Sequence, residues 1–239
     1  NLDVQLQVGG ADQWGNITAG LDFIRRMEGS EAEAYGLTIP LMLKSDGTKF
    51  GKSAGNAIWL DPEKTTPYEF YQFWINQQDS DVTKFLKYFT FLSKEEIEAL
   101  EKEIEVNPHL RVAQRRLAEE VTRFVHSQEA LDEAQQITEA LFTGEVGQLS
   151  AKQIEEGFKN MPQSTIARQS ENLAIWLVDT GIVDSRRQSR EFINNNAISI
   201  NGEKINDVDY EIGPDDAIDG KYIIVRRGKK KYHLVIFED

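Results

Sequence analysis

The chain of 239 residues contains no cysteine. That excludes disulfides, thiolate metal sites and a cysteine nucleophile. Histidine is nearly as scarce. His109, His126 and His233 are too scattered in sequence for zinc-ligand spacing. No apolar run approaches the roughly 18 residues of a membrane-spanning helix, and no signal-type leader opens the sequence. A cytoplasmic protein is therefore expected, without a membrane partner. Positive charge is also short: 27 Lys and Arg face 40 Asp and Glu, for a net charge of −13. That balance excludes a loose, non-specific grip on nucleic acid, because attraction to phosphates scales with the cations presented. It leaves room for a focused basic site. Internal repeats and low-complexity tracts are absent as well.

What is present is a set of turns between patterned segments. Apolar residues make up 40% of the chain, enough for real cores. Leu2-Asp3-Val4-Gln5-Leu6-Gln7-Val8 alternates apolar and polar, which predicts a strand. Gly9-Gly10-Ala11-Asp12-Gln13-Trp14-Gly15-Asn16 follows, then Ile17, Leu21, Ile24 and Met27 at helical spacing. A strand, a glycine-rich turn and a helix in succession suit a ligand at the carboxyl end of the strand. Gly9 and Gly10 would admit a ligand close to the backbone. Asp12 has the chemistry to accept hydrogen bonds from ribose hydroxyls, and Gln13 to donate to a carboxylate or carbonyl. An ordinary turn with Asp12 as helix N-cap fits the same residues. The sequence opens on Asn1 in what reads as mid-core, so a piece of a longer protein is expected.

Leu37 to Leu43 predicts a second short strand, leading into Lys49-Phe50-Gly51-Lys52-Ser53. Asp46-Gly47 before this stretch and Ala54-Gly55-Asn56 after it favour a loop. Two ammonium groups on long stems, with a glycine between them, suit a polyphosphate whose charge shifts during reaction. A solvated Gly/Lys surface loop has the same composition. Asp61-Pro62 then reads as an N-cap with proline at the first helical position.

From 66 to 160 the chain reads as helical. Thr66 with Glu69, Ser93 with Glu96 and Ser150 with Gln153 have capping-box spacing, while Ser127 with Ala130 lacks the reciprocal acceptor. Tyr71, Phe73 and Trp74, then Phe85, Tyr88, Phe89 and Phe91, fit a helix-bundle core better than base stacking. Arg111, Arg115, Arg116 and Arg123 are read as a solvated face paired with Glu119 and Glu120, phosphate contact being the alternative. Asn160 to Thr165 is polar with one proline and reads as the start of a linker. In the tail, Leu173 to Val178 predicts a short helix, and Ser185-Arg186-Arg187-Gln188 starts another with a capping box. Arg186 and Arg190 share a face of it. Asn201-Gly202 predicts a tight hairpin turn with positive φ. Tyr222 to Val225 and Tyr232 to Phe237 predict strands around Arg226-Arg227-Gly228-Lys229-Lys230-Lys231. Five cations in that short run, within an acidic chain, favour RNA contact over a solvated hairpin.

With these residues placed, the chain resembles the bacterial tyrosyl-tRNA synthetases, a family of class I aminoacyl-tRNA synthetases. The resemblance covers essentially all of it, as the carboxyl-terminal half or slightly more. The Gly9–Asn16 stretch resembles the family's signature near the adenylate, and Lys49–Ser53 resembles its KMSKS loop, with Phe50 and Gly51 in place of Met and Ser. Lys87 to Leu92 resembles its helical anticodon-binding domain. The tail resembles the small RNA-binding domain of alpha-L, S-four-like fold.

The resemblance implies a Rossmann-type α/β remnant at 1–65 and an all-α anticodon-binding domain at 66–160. A linker at 161–170 and a small α+β RNA-binding domain at 171–239 would follow. It implies a two-step reaction, from tyrosine and ATP to tyrosyl-adenylate and then to tyrosyl-tRNA. Lys49, Lys52 and Ser53 would hold the pyrophosphate in the transition state. Gly10 and Asp12 would hold the ribose, with Lys52 again in the ATP site. Gln7 and Gln13 would lie by the tyrosine. Arg186, Arg187, Arg190, Arg226, Arg227 and Lys229 to Lys231 would meet the tRNA. ATP is a substrate accompanied by Mg2+, and no prosthetic group is implied. The partners implied are the tRNA for tyrosine, L-tyrosine and ATP, with a homodimer for the full-length parent. The HIGH-type motif and most of the tyrosine pocket are expected upstream of Asn1, leaving this chain alone inactive. A tRNA-binding chain without chemistry is the alternative. An RNA-modifying enzyme with the same tail is disfavoured, since it needs no pyrophosphate clamp.

Overall fold

The computed structural model describes residues 4–43, 45, 47 and 58–238. The chain divides into two compact units, Asn1–Ile58 and Trp59–Asp239. In the first, strand β1 (Leu6–Gly10) leads through a single 3-10 turn, Ala11–Gln13, into helix α1 (Trp14–Glu28). Strand β2 (Tyr35–Ile39) returns parallel to β1, in the register Leu6 to Tyr35 and Gly10 to Ile39. Strand β2 is shorter than the apolar run 37–43 suggests. It ends before Pro40, which has no N–H to continue a ladder. Helix α1 seats Ile17 on the sheet where Gly9 and Gly36 leave room, since a Cβ at Gly36 would overlap the Ile17 side chain. The unit is thus one parallel βαβ crossover.

The second unit begins with turns. Asp61 was expected to cap a helix, but its carboxylate accepts the Glu63 amide, at 3.0 Å, and pairs with Lys64, at 3.8 Å, within a turn. The helix starts five residues later because Thr66-Pro67 supplies a better start. Thr66 caps α2 (Pro67–Ile75) in a full capping box with Glu69, and Pro67 takes the first position. Then follow α3 (Asp79–Phe89), α4 (Lys94–Val106), α5 (Val112–Val125), α6 (Gln128–Thr143) and α7 (Ala151–Phe158). Ser93 and Ser150 make reciprocal boxes, and Ser127 caps α6 one way only. Phe70, Tyr71, Trp74 and Phe85 are buried between these helices, whereas Phe91 is 87% exposed.

The chain continues with β3 (Gln163–Ile166), β4 (Glu171–Asn172), α8 (Leu173–Asp179), α9 (Arg186–Asn194), β5 (Ile198–Ile200) and β6 (Glu203–Ile205). It ends with β7 (Glu211–Ile212), β8 (Tyr222–Arg227) and β9 (Lys231–Phe237). Five strands form one sheet in the order β3-β9-β8-β5-β6, and β4 pairs with β7 separately. Here the linker expectation for 161–170 is corrected. Gln163–Ile166 is an edge strand lying parallel to Leu234–Phe237. Its polar side chains belong to a half-solvated edge and not to a free connector.

The sheet also explains why the tail is not a separate ball. Alternate residues of β8 and β9 go to opposite faces. Ile223, Val225, Val235 and Phe237 pack with Leu173, Trp176 and Leu177 of α8 and Ile193 of α9. Tyr222, Ile224 and Leu234 pack with Ile137 of α6 and with Ile154 and Phe158 of α7. The helical part and the tail therefore share an apolar cluster.

Candidate functional site

At the carboxyl ends of β1 and β2 the chain builds a polar turn. Gly10 is extended (φ −71°, ψ 160°), so its value lies in space and not in unusual torsion. A Cβ there would stand 2.7 Å from Asp12 Oδ1 and 3.2 Å from Leu41 Cδ2. Glycine thus lets Asp12 fold back over the strand end. The Gln13 side-chain amide donates to Asp12 Oδ2 at 3.4 Å, and Asn16 Nδ2 donates to Gln13 Oε1 at 3.0 Å. This chain orients Asp12 while leaving its carboxylate exposed, with lone pairs free for hydroxyl donors. The N-cap alternative for Asp12 fails: the N-cap of α1 is Gln13, and no side chain caps that helix. Gln7 is exposed on β1 opposite Gly36, on the sheet face that α1 lies over, two residues before Gly9. The turn therefore gathers Gly10, Asp12 and Gln13, with Asn16 as a member that its spacing from Gln13 on a helix would have revealed. Lys49, Lys52 and Ser53 lie outside the described residues.

The second group of candidate residues is in the tail. Ser185 accepts the Gln188 amide and starts α9, while Gln188 Oε1 accepts the Asp184 amide in place of the expected reciprocal bond to Ser185. Arg186, Arg187 and Arg190 are exposed along this helix, and among the described residues none forms an ion pair. Lys229, Lys230 and Lys231 are exposed at the β8–β9 hairpin, whose turn uses Gly228 at φ 66°. Arg226 and Arg227 differ from these lysines. They are strand residues and half-buried. Arg227 donates to Ile182 O at 2.8 Å and stacks over Phe192 at 5.5 Å. Arg226 lies over the Tyr232 ring at 6.0 Å, with its Nε buried and unpartnered. A cavity of about 520 Å³ opens beside the hairpin, lined by Arg227, Lys230, Lys231 and Tyr232 and by Pro162 and Gly181.

Three of the four helical arginines have partners among the described residues. Arg111 Nη2 donates to the Ile75 and Gln77 carbonyls, Arg116 pairs with Glu120 at 3.1 Å, and Arg123 bonds Glu120 and Gln128. Arg116 and Arg123 lie on a face paired through Glu120, as their charge pattern suggested, whereas Arg111 ties α5 to the end of α2 instead of facing solvent, and Glu119 bonds Gln135 and not an arginine. Burial pushes the pKa of His126 and of His233 below the ordinary imidazole value, and His233 bonds Ser164 at 3.0 Å. Among the described residues no group of three or more His, Asp or Glu side chains is placed to hold a metal ion. None of the described helices is long and apolar enough to cross a membrane.

The profile of the class I tRNA synthetases (W and Y) matches residues 1–143, and the chain belongs to that family. Within it, the chain falls with the tyrosyl-tRNA synthetases. Residues 153–235 match the profile described as the tyrosine–tRNA ligase SYY-like C-terminal domain. A tyrosine–tRNA ligase of Ligilactobacillus salivarius is 64% identical over 98% of the chain, and one of Pediococcus pentosaceus is 66% identical over 98%. The chain spans 56% of the length of each. A C-terminally truncated mitochondrial tyrosyl-tRNA synthetase of Aspergillus nidulans is 32% identical over 58% of this chain and 39% of its own, with a TM-score of 0.48.

Proposed function

We propose that the chain serves the ATP-dependent attachment of tyrosine to its tRNA through a tyrosyl-adenylate. The observation that supports this most is the succession of the two family matches, 1–143 and 153–235, along one chain. The activity is proposed for the full-length chain, since this one spans 56% of its relatives' length. In this reading Asp12 accepts the ribose hydroxyls over Gly10, and Gln13 and Gln7 lie beside the tyrosine. Lys49 and Lys52 neutralise the pyrophosphate as charge develops, and Ser53 adds a hydroxyl donor. That is electrostatic stabilisation of a transition state, with no covalent or acid–base step by these residues. Mg2+ would arrive on the ATP phosphates. The described residues offer it no three-ligand site. Arg186, Arg187, Arg190 and Lys229 to Lys231 meet the tRNA backbone, and Arg226 and Arg227 border that surface. The division of labour proposed is adenylate chemistry up to residue 65, anticodon contact by 66–160, and further tRNA contact by the tail. A cytoplasmic location and a homodimer of the full-length chain complete the reading.

The test is ATP–pyrophosphate exchange on the full-length chain with each aromatic amino acid. Exchange with tyrosine alone is expected. Lys52→Ala is expected to slow it by roughly 10²–10³, with tyrosine affinity nearly unchanged; equal losses in both would make Lys52 a folding residue. A second reading, tRNA binding without chemistry, draws on the self-contained unit Trp59–Asp239. Exchange by the 239-residue chain alone would rule it out.

A further inference from the structure

One of the tail's cations is placed where RNA does not explain it. Helix α6 ends at Gly144, which caps it at φ 90° with its amide on Ala140 O. The Arg226 guanidinium from β8 lies over this residue, so that a Cβ on Gly144 would overlap it. Carbonyls at a helix carboxyl end carry partial negative charge and attract a cation. Arg226 also lies over the Tyr232 ring at 6.0 Å, and Tyr232 in turn donates its hydroxyl to Leu141 O of α6 at 2.9 Å. Around this point the backbones meet closely. The Asn201-Gly202 turn brings Gly202 against Gly144 O, a built Cβ standing 2.7 Å away, and a Cβ on Gly147 would stand 2.6 Å from Asn201 O. Asn201 is tied into the sheet through the Ile224 amide at 2.8 Å and Asp216 O at 2.7 Å. Tyr222 bonds Glu155 of α7, and Asp219 accepts the Ala151 amide at 3.2 Å.

We propose that Arg226 is a positioning residue: with Gly144 it forms the joint that locks the tail sheet onto the end of α6, and it does not pair with RNA phosphate. The lysines of the hairpin and the arginines of α9 are thereby held at a set distance from the helical part. One tRNA can then meet both surfaces without the chain first spending conformational entropy on ordering the tail. The inference rests on the tRNA-binding reading above, but the joint itself is testable without RNA.

The chain lacks cysteine, so Glu95→Cys on α4 and Lys204→Cys on β6 supply a unique pair for spin labels. A narrow distance distribution is expected in the parent. Arg226→Ala and Gly144→Ala should each broaden it, although only the first removes a charge. Arg226→Lys, which keeps the cation but loses the planar fork, should not restore it. The double variant should be no broader than either single one, because both remove the same contact. A transcript of the tRNA for tyrosine, titrated at several salt concentrations, gives the second readout. Arg226→Ala and Gly144→Ala should weaken binding by roughly tenfold with the salt slope unchanged. Replacing Lys229, Lys230 and Lys231 by Ala should lower the slope by up to about 3, at nearly one per phosphate contact. A narrow distribution in Arg226→Ala, or a slope lower by about 1, would overturn the joint and make Arg226 a phosphate ligand. Lysine variants that bind the transcript like the parent would instead undo the RNA reading of the hairpin, while the spin-label result would still judge the joint. Circular dichroism of each variant separates a loosened joint from an unfolded chain.

Discussion

Asn1–Ile58 and Trp59–Asp239 carry similar hydrophobic patterns and bury them very differently. Among the described residues of the first unit, Ile17 is the one buried side chain. Leu6, Val8, Tyr35, Leu37 and Ile39, which the register places together on the sheet face opposite α1, are each about half exposed. In the second unit the β8 run Tyr222-Ile223-Ile224-Val225 is buried on both sides, by α8 and α9 on one and by α6 and α7 on the other. Alternation along a strand says which face is built for a core. It does not say that the core is supplied. Two strands and a helix bury too little to be stable alone, whereas a sheet clad on both faces is.

The largest effect should come from the cluster that joins helices to tail. Phe158 of α7 is fully buried there and meets Tyr232 of β9 edge-on at 5.8 Å. Phe158→Ala should lower the stability of the second unit by about 3–5 kcal/mol. In a denaturant titration, helical and tail signals should shift together. Leu37→Ala, on the bare face of the first unit, should stay within about 0.5 kcal/mol. A tail that melts separately in the Phe158 variant would break the claim of a shared core, and a large loss at Leu37 would show that its face is covered in solution.

The helix starts of the second unit were readable because a capping box is local. Thr66 and Glu69, Ser93 and Glu96, and Ser150 and Gln153 each close over three residues, and all three boxes are present. The Asn201-Gly202 turn was readable for the same reason, with φ of 50° and 94°. The polar turn after β1 could be read as far as Gly10, Asp12 and Gln13, because β1 runs straight into it. What stayed hidden is long-range. Nothing in Gln163–Ile166 signals a parallel pairing with Leu234–Phe237, some seventy residues on. Arg226 read as one cation among five because its role depends on Gly144, far away in sequence. Asp61 misled because its local cap signal competed with a stronger one at Thr66.

A smaller effect tests whether the second unit responds as one body. Helix α4 lies at its margin, with Ile97 as its one buried residue. Ser93 caps it by accepting the Glu96 amide, and Glu96 Oε2 accepts the Ser93 amide at 2.8 Å. Ser93→Ala should cost about 1 kcal/mol. If the unit is cooperative, the loss should appear in its global denaturation midpoint. If only α4 amides exchange faster, with the midpoint unmoved, α4 opens by itself and the second unit is not one cooperative body.

The smallest effect is in pH, and it too divides the two units. All three histidines lie in the second unit, and burial lowers the pKa of both His126 and His233. A folded pKa below the unfolded one means that the unfolded chain takes up protons first. Stability from these groups is therefore full above the ordinary value of 6.5 and is lost as pH falls through their lower folded values. His126 lies edge-on to Phe70 at 4.8 Å with Nε2 unpartnered, so charging it has no local compensation. Denaturation midpoints of the second unit should fall as pH drops below about 6.5, ahead of the carboxylate range near 4. His126→Gln should flatten that part of the curve while leaving the carboxylate part in place. The first unit holds no histidine and adds nothing to this part of the curve. A decline of the second unit confined to the carboxylate range would mean that neither histidine is held neutral by the fold.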